Sequence, residues 1–79
     1  GQPVELTPTQ FRILYFLASH AGTVQSREQI SNAVHDGDAA AFERTIDAHI
    51  KSIRRRLGAG AELIETVRGF GYRLRDVRR

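Results

Sequence analysis

Apolar residues at Phe42, Ile46, Ile50, Ile53 and Leu57 recur at i, i+4, i+8, i+11 and i+15. At ~100° per residue they fall on one stripe of an α-helix, so the spacing predicts a long helix over 42–57. The rest of the chain must cover that stripe. The opposite stripe carries Arg44, Ala48, Lys51 and Arg55, flanked by Thr45 and Ser52 on one side and Arg54 on the other. An ordinary solvated helix face mixes its signs. This one holds five Lys/Arg between Arg44 and Leu57 against one acid, Asp47. A one-signed face with small residues set into it points to a polyanionic partner.

Charge along the chain supports that reading. Residues 1–43 hold two basic and five acidic side chains, and residues 44–79 hold ten and four. One half is acidic and the other basic, which suits docking on a polyanion by one side. Seventy-nine residues make one domain near the lower size limit for a self-supporting core. The absence of cysteine excludes disulfides, thiolate metal sites and thiol catalysis. The longest apolar run, Ile13 to Ala18, is far too short to span a bilayer, so the expected location is cytosolic or nuclear.

Taken in order, Val4 and Leu6 alternate with Glu5 as in a short strand, and the abrupt start suggests a piece of something longer. Thr7-Pro8-Thr9-Gln10 forms a capping box with proline at the first helical position. It predicts a helix to about His20, burying Phe11, Leu14, Leu17, Ala18 and Ala21, with Ile13 beside them and Phe16 almost opposite. Ser26-Arg27-Glu28-Gln29 is a second capping box, opening a short helix to about Val34 that buries Ile30, Ala33 and Val34. Turn residues His35 to Asp38 end it, and Ala39 to Ala41 either extend the long helix backwards or belong to the loop. Gly58-Ala59-Gly60 stops the long helix. Glu62 to Val67 and Tyr72 to Arg75 then read as two strands joined by Arg68-Gly69-Phe70-Gly71, a hairpin with a basic, aromatic tip. Val77 to Arg79 reads as a frayed tail.

Three helices and a C-terminal hairpin make an α+β winged helix-turn-helix. In that plan the last helix enters the major groove of a duplex and the hairpin reaches the backbone or minor groove. A B-DNA major groove, about 12 Å wide, admits one helix. Ala48 and Ser52 permit close approach, and Lys51 and Arg55 reach phosphates or guanine edges. Other chemistry lacks support. His20, His35 and His49 lie on three elements with no carboxylate pair to join them, so no metal and no cofactor is expected. No nucleophile–base pair is visible, so no enzyme is expected. Asp47 lies four residues before Lys51, the spacing of a helix-surface ion pair. Two competing uses of the same plan are protein contact and double-stranded RNA binding.

The run R-T-I-D-A-H-I-K-S-I-R-R-R-L, followed by I-E-T-V-R-G-F-G-Y-R-L, resembles the C-terminal effector domain of OmpR/PhoB-type bacterial response regulators, in a BaeR-like flavour. L-T-P-T-Q-F-R-I-L and V-Q-S-R-E-Q-I match in order and spacing, so the likeness runs from about Val4 to Leu74. It implies a preceding receiver domain served by a sensor kinase. It implies an N-terminal four-stranded sheet, of which only the strand near Val4–Leu6 is present here and which would cover Phe16. It implies dimeric binding to tandem direct repeats of double-stranded DNA, with the 35–41 loop touching RNA polymerase. By position, Arg44, Thr45, His49, Lys51 and Arg54 match phosphate- or base-contacting positions, and Ala48 and Ser52 match base-facing ones. Thr66, Arg68 and Tyr72 match wing positions, with Arg68 as the arginine that enters the minor groove. Arg55 is added by helical projection alone. The chain departs from the pattern in lacking an aromatic near His35 and in the small Ser52, where relatives often carry a larger polar or basic side chain.

Overall fold

The computed structural model describes residues 5–76. Four helices are followed by a two-stranded antiparallel hairpin: α1 (Pro8–Ser19), α2 (Arg27–Val34), α3 (Ala39–Glu43), α4 (Ile46–Leu57), a 3₁₀ turn (Gly58–Leu63), β1 (Ile64–Val67) and β2 (Gly71–Leu74). This is a winged helix with one helix more than the sequence suggests. Glu5 and Leu6 are not part of a strand. The remainder of that expected strand, and the expected frayed tail, lie outside the described residues.

Both capping boxes form. The Thr7 hydroxyl accepts from the Gln10 amide at 3.1 Å, and the Gln10 side chain accepts from the Thr7 amide at 3.0 Å. Ser26 and Gln29 exchange the same pair of bonds at 3.0 and 2.7 Å. Each box satisfies helix-end N–H groups that would otherwise have no partner. Asp38 caps α3 by accepting from the Ala40 amide at 2.9 Å.

The long helix does not begin at Phe42. It begins at Ile46, and residues 39–43 form a separate turn of helix. Thr45 is the cause. Its hydroxyl donates to the Phe42 carbonyl at 2.6 Å, and its amide donates to the same oxygen at 2.8 Å. That carbonyl would otherwise bond only the amide of Ile46, so the chain is tightened and redirected here. Phe42 still serves the helix it was assigned to, because its half-buried ring stacks on His49 at 5.3 Å.

The core consists of Ile13, Leu17, Ile30, Val34, Ile46, Ile50, Ile53, Ile64 and Tyr72, with Leu14, Phe16, Phe42, Leu57 and Leu74 packed around it. Burying each large aliphatic side chain stabilises the fold by about 1.5–3 kcal/mol. The α4 stripe is as expected at Ile46, Ile50 and Ile53. The α1 stripe is so only in part. Ile13 and Leu17 are fully buried, Phe11 is 58% exposed, and Ala18 is exposed as well. Leu17 and Leu14 of the expected stripe do face the core, but the inward side is centred on Ile13 and Leu17, so Phe11 and Ala18 turn out to solvent. Phe11 instead stacks on Tyr15 at 6.1 Å. With Phe16, His20, Ala33 and Val34 they line an apolar groove of about 310 Å³. On α2, Ser31 replaces Ala33 as the third inward residue. It is 1% exposed, and its hydroxyl donates to the Ala39 carbonyl at 2.6 Å, tying α2 to α3.

The hairpin pairs Ile64 with Leu74, Glu65 with Arg73, Thr66 with Tyr72 and Val67 with Gly71. The strand expected from Glu62 starts two residues later, because Glu62 and Leu63 close the 3₁₀ turn. A further bridge joins the hairpin to the α1–α2 link. The Gln25 amide donates to the Tyr72 carbonyl at 2.8 Å, and the Tyr72 amide donates to the Gln25 carbonyl at 2.9 Å. The two chains approach so closely that a Cβ at Gly71, where φ is +150°, would meet the Gln25 carbonyl oxygen at 2.1 Å.

Candidate nucleic-acid interface

Burial of Ile46, Ile50 and Ile53 determines which side of α4 faces out. Ala48, Lys51 and Arg55 are exposed and Ser52 is half-buried; Arg44 and Thr45 are exposed on the turn just before the helix. His49 is half-buried against the Phe42 ring. Ser52, Arg55 and Arg56 also line a polar depression of about 280 Å³ with Gln10 from α1. Arg68 and Phe70 are exposed at the hairpin turn, Phe70 at 70%.

Ion pairing sorts the cations into two groups. Arg73 and Arg75 are held by Glu65 at 2.7 and 3.3 Å, and Arg27 by Asp47 at 2.8 Å. The Arg73 contact holds the Glu65 carboxyl below the usual carboxylate range. Among the described residues, Arg44, Lys51, Arg55, Arg56 and Arg68 make no ion pair. A phosphate can engage these five without first separating an internal pair, which favours binding driven by counterion release.

Two residues matched to contact positions are turned inward. Arg54 Nη2 donates to the Ile64 carbonyl at 2.6 Å and to Thr66 Oγ1 at 2.9 Å. Tyr72 is 5% exposed, and its hydroxyl donates to Asp47 Oδ1. Thr66 is exposed, but its hydroxyl oxygen accepts from Arg54. These side chains fasten helix to hairpin. Ala48, Lys51, Ser52 and Arg55 remain for a ligand to meet.

Asp47 does not pair with Lys51. Its Oδ1 accepts from Arg27 Nε of α2 at 2.8 Å and from the Tyr72 hydroxyl of β2. The Arg27 bond, then the Tyr72 bond, hold the Asp47 carboxyl below its usual range. Burial, then Asp47, push the Tyr72 hydroxyl up. The Arg27 and Arg54 guanidinium carbons lie 5.5 and 5.9 Å from the Tyr72 ring centroid. Arg27 was not singled out from the sequence. The available signal was Asp47 itself: a lone acid on a cationic helix invites a cation from another element.

Among the described residues, no three His, Asp or Glu side chains gather where they would hold a metal ion. No described helix is long and apolar enough to cross a membrane.

A family model described as "Transcriptional regulatory protein, C terminal" matches residues 1–74. The phosphate regulon transcriptional regulatory protein PhoB of Escherichia coli (strain K12) is 40% identical over 74 residues, which cover 91% of this chain and 32% of that protein. The chain thus spans about a third of the length of the curated relatives it matches. Among solved structures, the DNA-binding domain of CpxR from E. coli is similar with a TM-score of 0.77 and 42% identity, over 96% of this chain and 78% of that one. The DNA-binding domain of response regulator AdeR, in complex with an intercistronic region, is similar with a TM-score of 0.79 and 32% identity, over 92% of this chain and 74% of that one. With its fold, its R-T-I-D-A-H-I helix and its V-R-G-F-G-Y hairpin, the chain belongs to the C-terminal effector-domain family of OmpR/PhoB-type response regulators.

Proposed function

We propose that this chain binds double-stranded DNA sequence-specifically and controls transcription as the output domain of a two-component response regulator. The observation that carries the reading is a set of cations without an ion pair among the described residues, Arg44, Lys51, Arg55 and Arg68, spread over α4, the turn before it and a hairpin fastened to it. Ala48, Lys51, Ser52 and Arg55 read bases or adjoining phosphates in the major groove. Arg44, Thr45 and His49 hold the backbone, and Arg68, at the exposed turn beyond Thr66, enters the minor groove. Arg54 and Tyr72 serve by setting the position of the wing.

The match to about a third of the relatives' length is in keeping with a single DNA-binding domain that follows a receiver domain answering to a sensor kinase. The reading further assigns the chain to pairing of two copies on tandem direct repeats and to action in the cytoplasm. The segment 35–41, a loop that runs into the first residues of α3, is exposed along most of its length and is assigned the contact with RNA polymerase.

Selection of bound sites from random duplex DNA tests the function, with affinities measured against scrambled duplex at two salt concentrations. A short repeated motif with discrimination of at least ~10³-fold is expected. Binding that is steep in salt but selects no motif would refute base reading.

A further inference from the structure

We propose that Asp47 is a positioning residue that locks the wing to the reading helix, so that both engage one duplex in a single register. The inference rests on the DNA-binding reading above. Its basis is that α4 is tied to the hairpin at two separate points. At the start of the helix, Asp47 Oδ1 accepts from the Tyr72 hydroxyl on β2. Seven residues later, about 10 Å along the axis, Arg54 donates to Ile64 and Thr66 on β1. One tie would leave the hairpin free to pivot about the helix; two ties, one to each strand, fix its tilt. Arg27 completes the first tie by bonding the same Asp47 oxygen, which anchors the junction to the first residue of α2.

The arrangement separates tilt from attachment. The hairpin remains held by the Gln25–Tyr72 backbone bridge and by Ile64 and Tyr72 in the core. Loss of the Asp47 carboxylate therefore leaves the wing attached while removing one of its two ties to α4, which loosens its tilt. Tyr72→Phe makes the same cut more sparingly, since it removes one hydroxyl and keeps the buried ring.

Simple electrostatics predicts the opposite effect of losing Asp47. Asp47 is a carboxylate on a cationic helix, and its side chain is 59% exposed. If charge alone mattered, Asp47→Ala would tighten binding to every duplex. If Asp47 positions the wing, the selected site loses affinity and scrambled duplex does not. The contribution of Arg68, at the wing turn, then shrinks as well.

The test measures Kd on the selected site and on scrambled duplex for wild type, Asp47→Ala, Tyr72→Phe, Arg68→Ala and the Asp47→Ala/Arg68→Ala pair. Asp47→Ala and Tyr72→Phe are each expected to weaken the selected site about tenfold while scrambled duplex binds as well or better. Arg68→Ala, also costing about tenfold in wild type, is expected to cost less than about threefold beside Asp47→Ala. Uniform tightening, or an Arg68 effect that is the same in both backgrounds, would overturn the proposal. If wild type discriminates no site, the DNA-binding reading fails and this proposal with it. If wild type discriminates and the variants keep its ratio, the proposal fails alone.

Discussion

Replacing Gly71 by alanine places a methyl group where the backbone of the α1–α2 link already lies. The added Cβ would stand 2.1 Å from the Gln25 carbonyl oxygen and 2.8 Å from both the Gln25 carbonyl carbon and Ser26 Cα. All three are backbone atoms, so no rotamer change relieves the clash. The strand must withdraw by an ångström or more. Withdrawal breaks the two Gln25–Tyr72 hydrogen bonds of 2.8 and 2.9 Å. Each loss costs about 1–3 kcal/mol where a group is left buried and unsatisfied. The φ of +150° adds strain of about 1–3 kcal/mol for a residue with a side chain. Together these give a destabilisation of roughly 3–9 kcal/mol, a large share of the total for a domain of this size. The melting temperature should fall by ~12 °C or more. Gly69→Ala is the control. Its φ is +83° but a Cβ there meets nothing within 4 Å, so only the backbone cost of about 1–2 kcal/mol remains. Urea unfolding followed by circular dichroism, compared at equal m-value, reads the difference. Midpoints for the two variants that correspond to within ~1 kcal/mol would refute the close approach of the wing to the link.

Four further outcomes are expected. Arg68→Ala should weaken binding to the selected duplex by ~1–2 kcal/mol and lower the salt slope by about 1; an unchanged slope would remove Arg68 from the phosphate or groove contacts. Ser52→Ala should alter base preference more than total affinity, which repeating the site selection checks, and equal loss on all sequences counts against base reading there. Ile50→Ala should cost about 2–5 kcal/mol in urea unfolding, because Ile50 is 1% exposed within the core. Acid sensitivity should diminish in Asp47→Asn. The folded-state pKa of Asp47 is depressed, so its stabilisation is full above the unfolded carboxylate value of about 3.9 and is lost as pH falls below it. Solvent screening keeps the effect small. Urea midpoints at pH 7 and pH 3 should therefore separate more in wild type than in the variant.

The parts of the fold legible in the sequence are those decided within a few residues. Thr7-to-Gln10 and Ser26-to-Gln29 start helices because their bonds are local, and Ile46, Ile50 and Ile53 face inward because a stripe of isoleucines opposite lysine and arginines has one stable orientation. Where two local solutions compete, the sequence is silent. Thr45 occurs in helices often enough that its bond to the Phe42 carbonyl, which divides α3 from α4, leaves no mark in the periodicity. On α1, the Phe11–Tyr15 side is as apolar as the Ile13–Leu17 side, and only packing against α2, α4 and β2 chooses between them. The candidate site divides in the same way. Its exposed cations follow from helical projection, whereas the inward roles of Arg54 and Tyr72 depend on partners 10 to 25 residues distant.

Helix α4 keeps two kinds of position interleaved within single turns. Asp47, Ile50, Ile53 and Arg54 bind the rest of the molecule. Ala48, Lys51, Ser52 and Arg55 make no side-chain hydrogen bond or ion pair among the described residues. Exchanges among good helix formers at the second set should shift stability by about 0.5 kcal/mol each, whereas glycine or proline there would cost about 1 or 3 kcal/mol. The lettering of this helix can therefore be rewritten while its seat stays the same. A duplicated copy of the chain can drift toward a new operator through folded intermediates, and an engineer can vary those four positions among helix-forming residues without rebuilding the scaffold.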